Sequence, residues 1–177
     1  MESIFRNTEY DTAGLAKQLN SASHADVQRV LELCLDVPRW IEAIVDQRPF
    51  DNDEAASRAV FSAAAPLTDE EIHRALQVHP RIGERPSGGD THAEQARGEQ
   101  SGVDVTRADV SRRLREGNLA YEQRFGHVFL IRAAGRDSSD ILAALGERLG
   151  NDPESELRII EHELREIAAL RLGVSNV

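Results

Sequence analysis

The chain has 177 residues, of which 40% are hydrophobic and 29% charged, and its formal net charge is −10. This length and composition are typical of one globular domain and exclude an intrinsically disordered chain. The acidic balance argues against a nucleic-acid partner, because binding to phosphates requires a basic face.

Cysteine usage and apolar runs bear on the compartment. The single cysteine, Cys34, excludes an internal disulfide and fits a reducing environment. No apolar run approaches the ~20 residues that span a bilayer, and the first six residues lack the basic and apolar regions of a signal peptide. We expect a cytoplasmic protein without a membrane partner.

Two short helices are predicted first. Residues 1 to about 11 are polar and are expected to form a loosely ordered tail. Leu15 and Leu19 then indicate a short helix. Ser23 is expected to cap a second helix at about 24–35, because a serine hydroxyl accepts a hydrogen bond from the first helical turn.

Two further helices complete the N-terminal part. Pro38 suits the first turn of a third helix, whose apolar residues recur at helical spacing and which ends before Pro49. The Ala-rich segment 53–65 predicts a fourth helix, with Val60 and Phe61 as its heavier core members.

A histidine follows the fifth predicted helix. A capping box, Thr68 with Glu71 three residues later, predicts that helix through Val78. Pro80 disfavours the α conformation of the residue before it, so His79 is expected in extended backbone at the helix exit. The sequence to about residue 91 is rich in glycine and proline and predicts a long loop. Such loops are uncommon in compact domains unless they are functional or disordered.

The next part of the chain predicts a long amphipathic helix. Segment 91–101 is compatible with a short helix, and 106–125 with a long one that Gly126 ends. Gly117 is expected to weaken the long helix locally. Its candidate core residues are Val110, Leu114, Leu119 and Tyr121.

An apolar run, 127–131, follows Gly126. No other segment of the sequence offers a partner strand, so we predict a buried extended link rather than a sheet. Ala133, Ala134 and Gly135 continue it with little side-chain bulk, and such backbone can approach a ligand closely.

Two helices are predicted after this link. Ser138 or Ser139 is expected to cap the first, at about 140–149. Asp152 and Pro153 then begin the last helix, which Gly173 ends. Together the elements predict a single all-α domain, residues 1–177, of seven or eight helices with a short buried extended segment.

Local chemistry singles out one histidine. None of the six histidines follows the spacing of a zinc site, and with one cysteine we predict no metal. His79 lies where an apolar helix meets a polar loop. This position fits a histidine that interacts with the helix dipole, and it equally fits a general acid or base. The pair Glu99-Gln100 is, by itself, an ordinary helix-surface pair.

Several blocks of sequence, in consistent order, resemble the 2-oxo-4-hydroxy-4-carboxy-5-ureidoimidazoline (OHCU) decarboxylase family. The blocks are His79-Pro80-Arg81-Ile82-Gly83, Glu99-Gln100, the segment from Tyr121 through Gly126-His127 to Ile131, Trp40 with Arg48-Pro49-Phe50, and the end of the last helix, 167–172. The resemblance covers about residues 15–173. Arg-Ile-Gly-Glu after His-Pro is similar to the bacterial branch of the family.

The resemblance implies an all-helical, cofactor-free enzyme of urate breakdown that converts OHCU into (S)-allantoin and carbon dioxide. It implies catalytic roles for His79 as acid or base, for Glu99, and for Arg171 as a ligand of the substrate carboxylate. The implied substrate-binding residues are Pro80, Ala96, Glu99, Gln100, Ile131, Arg132, Ala133, Ala134 and Gly135. The implied partners are the substrate, the product and, as a homodimer, a second copy of the chain.

One position departs from the family pattern and keeps alternatives open. Relatives usually carry a serine three residues before the Glu-Gln pair, where this chain has Ala96. Thr91 with Glu94-Gln95 offers a competing register, but the spacing from His79 favours Glu99. The missing hydroxyl motivates a second hypothesis, a non-catalytic ureide-binding module of the same fold. A third is a helical protein-interaction domain.

Overall fold

The computed structural model describes residues 14–84, 98–100 and 108–174. Within these ranges the secondary structure consists of helices joined by loops and turns, without a strand, so the predicted all-α class is confirmed. The helices are α1 (Leu15–Ser21), α2 (His24–Cys34), α3 (Pro38–Asp46), α4 (Asp53–Ser62), α5 (Asp69–Leu76), α6 (Ala108–Phe125), α7 (Ser138–Arg148) and α8 (Pro153–Arg171). The predicted tail of residues 1–11 lies outside the described ranges.

The chain divides into two compact units. The first comprises Met1–Glu71 with Leu164–Val177, and the second comprises Ile72–Glu163. In the first unit the fully buried side chains include Leu19, Leu31, Trp40 and Ile44. The Trp40 indole donates a hydrogen bond to the Val60 carbonyl oxygen over 2.9 Å, so this buried polar group is satisfied.

Arginines of α8 bind two other helix ends of the first unit. Arg165 Nη1 donates to the carbonyl oxygen of Ala63, just after α4, over 2.9 Å. Arg171 Nη1 donates to the carbonyl oxygens of Leu33 and Cys34, over 3.2 and 3.3 Å. The last carbonyl groups of a helix lack partners within the helix, and these contacts supply them with donors from α8.

The second unit has an apolar core of its own. Residues from the loop after α5, from α6, from the extended segment and from α7 form it: Ile82, Val110, Leu114, Tyr121, Phe129, Ile131, Ala133, Ile141 and Leu145. The segment 127–133 runs through this core without strand pairing, as predicted. Its residues Phe129, Ile131 and Ala133 therefore share one apolar core with residues of α6 and α7.

Most predicted helix boundaries are confirmed. Ser23 caps α2 by accepting from the Asp26 amide, and Thr68 with Glu71 forms the predicted box. Gly126 and Gly173 have positive φ angles of 79° and 74°, which glycine adopts at little cost.

Four local predictions are wrong. Helix α4 ends at Ser62 instead of Ala65, because Ala63 leaves the helical conformation and Ala64 has a φ angle of 54°. Helix α5 ends two residues before Val78. Leu119, predicted in the core, is 54% exposed. The cap of α7 is Asp137, whose carboxylate accepts from the amides of Ser139 and Asp140, and not Ser138 or Ser139.

Candidate active site

The loop that begins at His79 is held close to the end of α5. The His79 amide donates to the Leu76 carbonyl oxygen over 3.1 Å, which closes the last turn of the helix. His79 and Pro80 are both partly buried, and His79 lies outside the helix, as Pro80 predicted. The chain then turns at Gly83, whose φ angle of 81° favours glycine.

An ion pair fixes Arg81 of this loop against α6. Its Nη2 donates to Glu122 Oε2 over 2.8 Å and its Nε donates to Glu122 Oε1. The hydrogen bonds from Arg81 lower the pKa of Glu122 below its ordinary value, and the same carboxylate raises the pKa of Arg81. A paired guanidinium of this kind is a poorer anion ligand than an unpaired one.

Gln100 reaches the same loop. The Gly83 amide donates to Gln100 Oε1 over 3.0 Å. In the opposite direction, Asn118 Nδ2 of α6 donates to the Ile82 carbonyl oxygen, also over 3.0 Å. The structure thus brings Gln100, which directly follows Glu99, to the loop that carries His79.

Two buried side chains hold the segment 130–132. Arg148 Nη1 donates to the Leu130 carbonyl oxygen over 2.7 Å, and Glu163 Oε2 accepts from the Arg132 amide over 2.7 Å. Glu163 Oε1 also lies 3.7 Å from Arg136 Nη2. Ile131 and Ala133 are buried, Arg132 and Ala134 partly so, and Gly135 is exposed with a φ angle of 82°.

A buried ionic cluster supports Arg148. Its Nε donates to Glu156 Oε1 over 2.8 Å, Asn151 Nδ2 donates to Glu156 Oε2 over 2.7 Å, and the Tyr121 hydroxyl donates to Glu156 Oε1. Burial, followed by the hydrogen bond to Glu156, raises the pKa of Tyr121. This hydroxyl therefore stays protonated and remains a donor at neutral pH.

His127 lies at the edge of the same cluster. Its ring centroid lies 5.6 Å from that of Tyr121 and 5.5 Å from that of the exposed His73. Burial lowers the pKa of His127, so its neutral form is favoured. In the part of the chain that the structure describes, no group of three or more His, Cys, Asp or Glu side chains is placed to hold a metal ion.

The sequence model of OHCU decarboxylases matches residues 20–173. The chain belongs to the OHCU decarboxylase family. A protein from the fish Amia calva named as an OHCU decarboxylase is 32% identical over 164 residues, which cover 88% of this chain and 91% of that protein. A mouse protein of the same name is 32% identical over 145 residues, 81% of this chain and 80% of the relative.

Two solved structures share the fold. A crystal structure of OHCU decarboxylase in the presence of (S)-allantoin is 28% identical, has a TM-score of 0.64, and is matched over 86% of this chain and 96% of its own length. A structure of (S)-allantoin synthase, at 20% identity and a TM-score of 0.65, is matched over 89% of this chain and 52% of its own length, and it supports the fold alone. The relatives from fish and mouse give no support to the bacterial branch.

The predicted site residues fall into three groups relative to this geometry. His79, Pro80, Glu99, Gln100 and the segment 131–135 belong to the second unit. Arg171 belongs to the first, where it binds the end of α2. Ala96 lies outside the described residues.

Sequence reasoning missed the side chains that hold the site. Asn118, Arg148 and Glu163 are all buried, and each binds a backbone group of the loop or the extended segment. A signal existed for Asn118, which lies four residues after Leu114 and three before Tyr121. A polar residue at a core position of a helix requires a partner, and here the partner is Ile82.

Proposed function

We propose that this protein decarboxylates OHCU to (S)-allantoin and carbon dioxide in urate breakdown, without a cofactor. The observation that carries the proposal is the family match over residues 20–173, which includes the His79 loop, Gln100 and the segment 131–135. The contact of Gln100 with Gly83 supports a site assembled around this loop.

The proposed reaction breaks the bond between the ring carbon and the carboxylate. The electron pair passes from that carbon into the neighbouring ring C=N group, and carbon dioxide leaves. The hydroxyl on the same carbon then loses its proton as the carbon becomes the ring carbonyl, and a proton is added to one face of the adjacent carbon, which bears the ureido group. The substrate is thus its own electron sink. The protein needs to orient the carboxylate, stabilise developing charge and deliver the proton.

Each site residue has a role in this proposal. His79 acts as the acid or base, with Glu99 orienting or deprotonating the substrate hydroxyl, and Arg171 binds the substrate carboxylate. Pro80, Ala96 and Gln100 line the substrate. The backbone of 131–135 forms a further wall, which suits the small side chains of 133–135 and the hydrogen bonds that hold the chain at Leu130 and Arg132.

The test uses freshly generated OHCU, with carbon dioxide release and the circular dichroism of (S)-allantoin followed in parallel. His79→Ala is expected to lower the enzyme-dependent rate by ~10²–10⁴-fold, the usual contribution of a positioned acid or base. His24→Ala, which changes an exposed histidine at the start of α2, is the matched control. Stereospecific turnover that His79→Ala leaves unchanged would remove His79 from the mechanism.

The same assay separates the alternatives that Ala96 motivates. Binding of allantoin by the wild-type chain without any acceleration of OHCU loss would favour a ureide-binding module. No shift of the melting temperature with ureides, together with no turnover, would favour a protein-interaction domain.

The proposal extends to organisation and location. We propose one functional domain, since the family match continues through both compact units. No helix in the described ranges is long and apolar enough to cross a membrane. A cytoplasmic location, a homodimer and the absence of nucleic-acid partners remain predictions. The bacterial branch also remains a prediction, resting on Arg81–Glu84 alone.

A further inference from the structure

One peptide group of the His79 loop is hydrogen-bonded at both of its ends. The carbonyl oxygen of Ile82 accepts from Asn118 Nδ2, and the amide of Gly83 donates to Gln100 Oε1, each over 3.0 Å. Ile82 C=O and Gly83 N–H belong to the same planar unit. Rotating that plane would therefore break both hydrogen bonds together.

The chemistry of the peptide fixes the orientation of both side-chain amides. A backbone N–H is a donor, so the atom of Gln100 that faces it must be the oxygen. A carbonyl oxygen is an acceptor, so Asn118 must face it with its nitrogen. Gln100 is therefore held with its acceptor occupied, and its NH2 group is left to donate. Among the described residues, Gly83 is the hydrogen-bond partner that the structure gives to the Gln100 side chain.

Asn118 is buried, and a buried side-chain amide destabilises the folded state unless it makes hydrogen bonds such as this one. Its side chain is 3% exposed, and no described residue donates to its buried Oδ1. A buried amide with one unsatisfied atom is destabilising relative to an apolar residue of the same size. Glu122, one turn later on the same face of α6, binds Arg81 of the same loop. This face of α6 is thus built to hold residues 81–83.

We propose that Asn118 is a positioning residue that acts on Gln100 through the Ile82–Gly83 peptide. It keeps the Gly83 N–H directed at Gln100 Oε1, and Gln100 then presents its NH2 group to a ligand. The ligand group recognised there is an acceptor, a carbonyl or carboxylate oxygen, and not a donor. This inference deepens the proposed function and rests on Gln100 being in the substrate site.

A double-mutant cycle tests the coupling. Asn118→Leu and Gln100→Ala are each expected to lower kcat/KM for OHCU by about 10-fold, the effect of one well-placed hydrogen bond. In the Gln100→Ala background, Asn118→Leu is expected to change kcat/KM by less than about 2-fold, because the group that it positions is gone. If the double mutant instead loses about 100-fold in kcat/KM, the product of the two 10-fold single losses, the proposal is overturned. Asn118→Ala removes the same donor without added bulk and replaces Asn118→Leu in the cycle if that variant does not fold.

A second measurement does not depend on activity. The backbone amide resonance of Gly83 reports its hydrogen bond to Gln100. We expect Asn118→Leu and Gln100→Ala to shift this resonance by comparable amounts. Gln100→Glu keeps the acceptor oxygen and is expected to leave the resonance near its wild-type position. Leu119→Ala is the control, since Leu119 neighbours Asn118 in sequence but is exposed.

The two measurements distinguish the failures. A wild-type chain that does not accelerate OHCU loss, but whose Gly83 resonance responds to Asn118→Leu as expected, would overturn the proposed function and keep the positioning role. A Gly83 resonance that Asn118→Leu leaves unchanged would overturn the positioning role, whatever the activity.

Discussion

Gly117 of α6 lies so close to Leu145 of α7 that a β-carbon at position 117 would be 2.4 Å from Leu145 Cδ2 and 3.1 Å from its Cγ. Leu145 is 2% exposed and belongs to the core of the second unit, so its side chain has little room to move. The glycine that the sequence marks as a weak point in a helix is a packing requirement. It allows α6 and α7 to approach closely.

Gly117→Ala is therefore expected to destabilise the protein. Overpacking of a filled core typically costs ~1–3 kcal/mol, and the gain in helix propensity of up to ~1 kcal/mol offsets only part of it. We expect a net loss of about 1 kcal/mol in the free energy of unfolding in urea. Gly146→Ala on α7, where a β-carbon meets nothing within 4 Å, is the matched control and should stabilise by ~0.5–1 kcal/mol. If Gly117→Ala and Gly146→Ala stabilise the protein equally, the close approach of α6 and α7 is contradicted.

Glu156→Gln should be among the most destabilising conservative substitutions in the second unit. Glu156 is fully buried and pairs with Arg148, whose Nη2 lies 2.6 Å from Glu156 Oε1. Removing one charge of a buried pair leaves the other uncompensated and typically costs ~3–5 kcal/mol. Glu116→Gln breaks an exposed pair with Arg112 and should cost about 0.5 kcal/mol or less. Thermal and urea unfolding measure the stability of both variants. If Glu156→Gln loses as little stability as Glu116→Gln, the buried ion pair is dispensable.

The pair of Arg39 and Glu71 should contribute to the acid sensitivity of the protein. Hydrogen bonds from Arg39 lower the pKa of Glu71 to about 2 from an ordinary value of 4.5. A lowered carboxyl pKa stabilises the folded state above pH 4.5, and this contribution is lost as the pH falls from about 4.5 to about 2. The Arg39→Gln variant should therefore have a lower free energy of unfolding than wild type at pH 7. This difference in free energy should be smaller at pH 3.

Urea unfolding at pH 7, 4.5 and 3 measures this difference. Arg29→Gln is the control, because Arg29 and Asp26 form an exposed pair with side chains that are 69% and 57% accessible. A difference between Arg39→Gln and wild type that stays constant from pH 7 to pH 3 would exclude the proposed titration of Glu71.

Glu163→Ala should affect turnover through the extended segment. Glu163 Oε2 holds the Arg132 amide, and Arg132 belongs to the proposed wall of the site. Loss of this anchor is expected to raise KM for OHCU by about 10-fold with a smaller change in kcat, since one hydrogen bond of ~1.4 kcal/mol corresponds to that factor. Glu147→Ala, at an exposed position of α7, is the control. An unaltered KM in a folded Glu163→Ala variant would argue against a wall formed by 131–135.

Local sequence signals were sufficient for most of the fold. Caps at Ser23 and Thr68 and glycines at 126 and 173 act within one helical turn, so their spacing alone predicts them. The sequence predictions fail where neighbouring residues can fill the same role. Asp137 and the serines after it are all good caps, and only the backbone conformation decides that Asp137 is used.

The phase of α6 illustrates a different failure. The apolar side chain of Leu119 predicts a core position, yet the buried residue is its neighbour Asn118. The contact of Asn118 with Ile82 spans 36 residues, and that of Arg132 with Glu163 spans 31. Hydrophobicity in a single sequence carries no information on such pairings. The sequence predicts His79 and Gln100 as site residues, but it does not predict the side chains that hold their loop.

The hydrogen bonds at both ends of the Ile82–Gly83 peptide have a consequence for reading natural variation in this family. Position 118 lies on α6, outside the loop that carries His79, and a change there would be scored as a change in the hydrophobic interior. If Asn118 positions Gln100 as proposed, such a change would appear in an assay as a defect in substrate recognition in addition to any loss of stability. Variants of α6 should therefore be classified by turnover as well as by expression or thermal stability.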